Sequence, residues 1–234
     1  MPALYAVVPA AGIGARMLAD RPKQYLSILD KSILEHTLDQ LVAFSEFKKI
    51  VIVISKEDEY FSDLDFSHYS KIEVCLGGKE RYDSVLNGLI HLKNAGVEDD
   101  ALVMVHDVAR PCIQQVDLLN LYNSDSRTGA ILGLQVRDTM KRTDENGNII
   151  KTVERNNLWH ALTPQMANLE ILYTAISTSL ADGVNITDEA SALEYIGLSP
   201  KMVAGDPCNI KITRPDDLAL AQAYLEKNLA DNEK

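Results

Sequence analysis

The chain has 234 residues, 46% hydrophobic and 24% charged, with a formal net charge of −11. That balance fits one α/β domain with ample material for a core, and the excess acid speaks against non-specific nucleic-acid binding or attachment to an anionic membrane. No apolar run approaches the ~20 residues needed to cross a bilayer, and the opening MPALYAVVPA lacks the basic segment that begins a signal peptide. Cys75, Cys112 and Cys208 are odd in number and widely spaced. They form no zinc pattern and no disulfide framework, so reduced thiols in a cytoplasmic protein are expected.

Leu4–Val8 is an apolar run with two β-branched valines and reads as a buried strand. Pro9 ends it, having no N–H to give. Ala10, Ala11, Gly12 and Gly14 follow. Small residues let backbone N–H groups approach a ligand, and glycine accepts positive φ. The loop then delivers Arg16, Arg21 and Lys23 against one acid, Asp20. A polyphosphate requires this arrangement: N–H groups cradle its oxygens, and cations neutralise the charge that grows during phosphoryl or nucleotidyl transfer. The same residues also read as a tight turn whose surface cations balance an acidic protein. No G-x-x-x-x-G-K-[ST] string occurs, and Met17 stands where the dinucleotide fingerprint wants its third glycine.

Ser32-Ile-Leu-Glu35 is a capping box, opening a helix with Leu34, Leu38, Leu41 and Val42 inward. Lys49–Ser55 reads as a central parallel strand and Lys71–Leu76 as a second. Gly77-Gly78 precedes a helix over about 80–94. This turn can host an anion or a base edge, or be an ordinary strand-to-helix connection. Ala101–Val105 is a further buried strand, and His106-Asp107 follows at once. Beside a triphosphate, Asp107 suits Mg²⁺; alone, it suits a turn or a helix cap. Strands alternating with amphipathic helices imply an α/β fold with a doubly wound, mainly parallel sheet, which binds ligands beyond the carboxyl ends of its strands.

Thr128–Val136 is another apolar strand. Arg137–Arg155 then holds two polar, strand-like runs around Asn146-Gly147, a strong hairpin signal. Such a hairpin is marginal alone in water, so it is expected to rest on a second subunit or to form a surface flap. Asn156–Gln165, NNLWHALTPQ, carries the one tryptophan. A helix starts at Asn168 and ends by Gly183, and Thr187 is read as the cap of a shorter helix ended by Gly197. Lys201–Ala204 is a late strand. In Asn209–Thr213, Lys211 projects opposite Ile210 and Ile212. Pro215 opens the last helix, and the tail from Asn228 is expected to fray. With no internal repeat or low-complexity linker, residues 1–234 read as a single domain.

PAAGIGARM…RPKQY, GGKERYDSV, HDVARP, VRDTMKR, RNNLWHALTPQ, ITDEASALEY and NIKITRPDDLALA occur in order from residue 9 to residue 221. Together they resemble the 2-C-methyl-D-erythritol 4-phosphate cytidylyltransferase family. The resemblance implies a Rossmann-like nucleotidyltransferase fold with a protruding β-hairpin arm at about 137–157, through which members form homodimers. It implies transfer of CMP from CTP to 2-C-methyl-D-erythritol 4-phosphate, giving CDP-methylerythritol and pyrophosphate, in non-mevalonate isoprenoid precursor biosynthesis.

By that resemblance, Pro9, Ala10, Ala11, Gly12 and Gly14 match the CTP-phosphate loop, and Arg16 and Lys23 the catalytic pair at the α-phosphorus. Gly78 and Ser84 match cytosine- and ribose-side contacts, and Lys211 the nucleotide and substrate side. Asp107 matches the ligand of Mg²⁺ or another divalent cation. Arg110, Thr139 and Thr187 match substrate-side positions, and Arg155 and Thr163 residues offered across the dimer. Ala15, Lys79 and Val108 depart from the family's pattern. The attacking phosphate is already anionic, so no general base is required, and His106 and His160 are read as packing or hydrogen-bonding residues. The nearest rivals are a cytidylyltransferase for another polyol phosphate, such as ribitol 5-phosphate, and a non-catalytic nucleotide-binding regulator.

Overall fold

The apolar runs at 4–8, 49–55, 101–105 and 128–136 are strands flanked on both faces by helices. In chain order the elements are β1 (Leu4–Pro9), β2 (Ser27–Ile28), β3 (Lys31–Ser32), α1 (Ile33–Ala43), β4 (Phe47–Ile54), β5 (Ile72–Leu76), α2 (Arg81–Asn94), β6 (Leu102–Val105) and α3 (Gln115–Tyr122). Then come β7 (Ala130–Gln135), β8 (Met140–Thr143), β9 (Ile149–Val153), β10 (Trp159–Asn168), α4 (Leu169–Ala181), α5 (Glu189–Tyr195), β11 (Lys201–Ala204) and α6 (Pro215–Asn232). This computed structural model describes residues 2–12, 17, 20–66, 69–124 and 128–232, with backbone alone at 229, 231 and 232.

Among the described residues the main sheet has seven strands in the order β11-β7-β10-β6-β1-β4-β5. All neighbours are parallel except β10, which runs antiparallel to both β6 and β7. Side chains alternate across each strand, so Ala6 and Val8 face α1 and α3 with Ile50, Ile52 and Met104. Val7, Val51, Val53, Val103 and Val105 face α2, α4 and α5. A smaller cluster of Met17, Ile28, Ile33, Cys112, Ile212, Ala221 and Leu225 seats α6. From β1 the chain builds outward through β4 and β5, then returns to β6 on the other side of β1. The crevice at that reversal lies beyond the carboxyl ends of β1 and β6.

Local signals act as their chemistry requires. Ser32 and Glu35 cap α1 reciprocally. Pro215 is the first residue of α6, where its missing N–H costs nothing. Some expectations are corrected. The cap of α5 is Asp188, whose carboxylate accepts from Ser191 N at 2.9 Å, and Thr187 lies one residue outside. The last helix continues to Asn232 instead of fraying from Asn228. Lys211, read between Ile210 and Ile212, lies in an irregular segment from which Ile212 N donates to Ala109 O at 2.9 Å. β10 tolerates Pro164 because it lies where the β10–β7 register shifts between Ala161 and Gln165, so its missing N–H interrupts no bond of that ladder.

β8 and β9 form a separate two-stranded sheet. Its turn is built on Asp144, which accepts from the backbone N–H groups of Asn146 and Asn148, and Gly147 supplies φ +84°. Ile149 and Ile150, side by side on β9, are 65% and 62% exposed.

Gly88 lies where α2 presses on β1. A Cβ there would stand 2.6 Å from Val7 Cγ1 and 3.2 Å from Val53 Cγ2. Alanine gains about 1 kcal/mol in helix propensity, but overpacking costs about 1–3 kcal/mol. Gly88→Ala is therefore expected to lower stability by about 1 kcal/mol, read as a lower urea midpoint at unchanged m-value. A raised midpoint would show that the α2–β1 contact has slack.

Candidate active site

Three strand ends meet in one cleft of about 270 Å³. Pro9 enters it as the last residue of β1 and Ala11 and Gly12 just beyond, Gly78 and Ser84 after β5, and Asp107 after β6; Lys23 and Lys211 complete the wall. Ala10 stands just behind. Its N–H is spent on Val53 O at 2.8 Å, and its carbonyl accepts from Gln24 Nε2 at 2.7 Å. This leaves the next residues, Ala11 and Gly12, to face a ligand. Gly14 and Arg16 lie outside the described residues.

The glycine turn is closely built. Gly77 N donates to Ile54 O at 2.7 Å, and Gly78 N to Ser84 Oγ at 3.3 Å. A Cβ on Gly78 would stand 2.3 Å from Asp83 Cβ, an acid held by its capping bond to Glu80 N. Only glycine fits, and the backbone comes close to the cleft for that reason.

Asp107 is 7% exposed and meets cations on both oxygens. Oδ1 accepts from Arg81 Nε at 2.8 Å and Oδ2 from Lys211 Nζ at 2.6 Å. Arg110 Nε stands 3.9 Å from Oδ2. Burial opposes ionisation of this carboxyl, but the charges and hydrogen bonds of Arg81 and Lys211 hold it well below the usual carboxylate range. Lys23 Nζ donates to Ile212 O at 3.0 Å, which brings the first loop against the Lys211 segment.

Beneath the cleft lies a buried polar layer. Thr163 Oγ1 accepts from Asp107 N at 3.0 Å and pairs with His106 Nδ1 at 3.1 Å. His106 Nε2 lies 3.1 Å from Arg110 O, which can only accept, so Nε2 carries the proton and Nδ1 accepts from Thr163. Arg110 Nη1 donates to Asn209 O, and Asn209 Nδ2 to Thr163 O, each at 2.8 Å. Thr163, matched above to a residue offered to a partner, is 4% exposed and holds its own chain's Asp107 backbone. Thr187 is exposed beside a small cavity with Arg81 and Glu189. Thr139 and Arg155 sit exposed at the base of the hairpin, outside the cleft, with Arg155 Nη1 donating to Arg137 O.

Burial lowers the His106 pKa to about 4. The folded value lies below the unfolded one of about 6.5, so the fold favours the neutral ring. Stability is then full above about pH 6.5 and falls as pH drops towards about 4, a loss of about 3 kcal/mol. Urea unfolding from neutral to acid pH checks this. The step should be absent from His106→Gln, and an unchanged profile in that variant would remove His106 as its source.

Sequence reasoning missed Gln24, Arg81, Glu189 and Asn209. Arg81 had one available signal: a cation in the first turn of α2 opposes the helix dipole, a local misfit that needs a reason.

A crevice at the switch point of a doubly wound sheet, with Lys23 and Lys211 beside the ionised Asp107, has the arrangement an α/β nucleotidyltransferase needs. The family model for 2-C-methyl-D-erythritol 4-phosphate cytidylyltransferase matches residues 4–227. Proteins of that name from Tolumonas auensis and Vibrio vulnificus YJ016 are 53% and 52% identical; the alignments cover 95% and 97% of this chain and 96% of each relative. The crystal structure of the Francisella tularensis protein of that name superposes with TM-score 0.82 at 36% identity, over 94% of this chain and 99% of that one. A 4-diphosphocytidyl-2C-methyl-D-erythritol synthase structure does so with TM-score 0.84 at 33% identity, over 96% and 99%. The chain belongs to the 2-C-methyl-D-erythritol 4-phosphate cytidylyltransferase family.

Proposed function

We propose that this chain transfers CMP from CTP to 2-C-methyl-D-erythritol 4-phosphate for isoprenoid precursor biosynthesis, working in the cytoplasm as a homodimer with a divalent cation. An oxygen of the acceptor's phosphate attacks the α-phosphorus of CTP, the bond to the bridging oxygen breaks, and pyrophosphate leaves with that electron pair. The single observation that carries this reading is Asp107 held ionised among cations at the meeting of three strand ends. No base is needed, so the site's work is positioning and charge neutralisation. Lys23 and Lys211 supply compact charges to phosphate oxygens. Ala11, Gly12 and Gly78 offer close backbone, and Ser84 orients the glycine turn.

The residues fit a hard cation that draws most of its ligands from phosphate and water. Among the described residues no group of three or more His, Cys, Asp or Glu could hold a metal alone, whereas Mg²⁺ is usually held by one or two carboxylates plus substrate phosphates. Asp107 would hold it, and the cation would neutralise triphosphate charge. The neighbouring Ile149 and Ile150 support the dimer, since a polar two-stranded arm with exposed isoleucines gains by covering them.

The test is pyrophosphate release with Mg²⁺, offering CTP, UTP, ATP and GTP against 2-C-methyl-D-erythritol 4-phosphate and ribitol 5-phosphate, with light scattering for mass. Release with CTP and the methylerythritol acceptor alone is expected, from a particle of twice the chain mass. Release with ribitol phosphate would reassign the acceptor side. Binding of CTP without release from any pair would favour a regulator. A monomer would remove cross-subunit roles from Arg155 and Thr163.

A further inference from the structure

Arg81 stands where its own helix disfavours it, as the first residue of α2, at the positive end of the dipole. Its fork is used twice. Nε donates to Asp107 Oδ1 at 2.8 Å, while Nη1 and Nη2 donate to Glu189 Oε1 and Oε2 at 2.6 and 3.1 Å. Glu189 is the first residue of α5 and is 2% exposed. One guanidinium thus ties α2, the end of β6 and α5 together through two buried carboxylates.

Stability does not explain this pair. Desolvating an ion pair costs about what the attraction returns, and apolar residues of similar volume are often neutral or better. Neutralising Asp107 does not explain it either, since Lys211 already bonds Oδ2 and Arg110 stands 3.9 Å away. Glu189 takes up the charge of Arg81. Arg81 then acts on Asp107 as a directional N–H donor while adding little net positive charge. Oδ1 is pinned, and Oδ2 is left towards Lys211, whose side chain is 36% exposed and can exchange Asp107 for a ligand.

We propose that Glu189 and Arg81 form a brace that sets the Asp107 carboxylate towards the divalent cation of the bound nucleotide, with Arg81 a positioning residue and Glu189 the counter-charge that lets Asp107 keep its negative charge for the cleft. This rests on the reading that Asp107 faces a triphosphate with its divalent cation.

The test measures Mn²⁺ binding by electron paramagnetic resonance, with CTP but no acceptor, beside steady-state pyrophosphate release. Glu189→Gln keeps size and removes charge. It is expected to weaken Mn²⁺ binding about ten-fold and to lower kcat similarly, with little change in the KM for CTP. Arg81→Lys should not restore function, because one ammonium cannot hold both carboxylates in a fork. The double variant Arg81→Met/Glu189→Leu separates brace from scaffold. The brace predicts a folded protein with an unchanged or raised melting temperature, weakened Mn²⁺ binding and lost turnover. A folded double variant, or a folded Glu189→Gln, with wild-type Mn²⁺ affinity and turnover would overturn the proposal. If the double variant does not fold, Glu189→Gln decides. Failure of the underlying reading is visible earlier, in a wild-type protein that binds no Mn²⁺ with CTP and releases no pyrophosphate; that result overturns the brace as well.

Discussion

Asp107→Asn is expected to lower turnover by about 10²–10³-fold, the cost of losing one well-placed electrostatic group in a preorganised site. The substitution keeps shape and changes two things. It removes a buried negative charge that faces the cleft, and it replaces an acceptor by a donor. Both Asp107 oxygens accept from cations, Arg81 on one side and Lys211 on the other. An amide has one oxygen and one NH₂, so whichever way it turns it points a donor at a donor. Stability should therefore fall as well. Breaking a fully buried pair costs about 3–5 kcal/mol, but Arg81 and Lys211 have side chains 29% and 36% exposed and can turn to water, so about 1–3 kcal/mol is expected. The folded pKa of Asp107 is depressed, so its contribution is present above the unfolded value of about 4 and is lost only as pH falls far below it. The stability difference between wild type and Asp107→Asn should then be flat from about pH 5 to 8. Retained kcat with lowered stability would make Asp107 a structural residue only.

Lys23→Ala is expected to cost about 10²–10³-fold in kcat with a smaller change in CTP affinity. The ammonium donates to the Ile212 carbonyl at 3.0 Å, and it lines the cleft. Its charge matters most when negative charge grows on the transferring phosphoryl oxygens. Ground-state CTP keeps other partners, since Lys79 and Lys211 line the same cleft. Lys23→Arg should recover little, because a planar fork does not replace a compact charge at that anchor. Steady-state kinetics with both substrates varied decides the matter. An unchanged kcat with a raised KM for CTP would assign Lys23 to uniform binding.

The strand at 4–8, the capping box Ser32–Glu35, the turn at Gly147 and the start of α6 at Pro215 were all legible in the sequence, because each depends on neighbours within a few positions. Periodicity, a missing N–H, a reciprocal cap and a tolerated positive φ are local properties. They also imply the sheet type, because buried β-branched runs alternating with amphipathic helices have few ways to cover both faces. The resemblance of the motif strings carried the choice of reaction.

Other features depended on distant partners. β10 accommodates Pro164 where its register with β7 shifts, a place set by the neighbouring strand. Thr187 looked like the cap, yet Asp188 holds Ser191 N. Arg81 read as one more helix residue, and Glu189 as an acid favourable at a helix start. Their meeting spans 108 positions, and that of Asp107 and Lys211 spans 104. Thr163 and Asn209 likewise become the floor of the site only when β10 inserts antiparallel beside β6. The sequence by itself thus determined β1, the cap of α1, the turn at Gly147 and the start of α6, since short-range sterics and hydrogen bonds decide those. Only the tertiary structure decided which charges share the cleft, because the Coulomb energy between two side chains depends on their separation in space and on the water excluded between them.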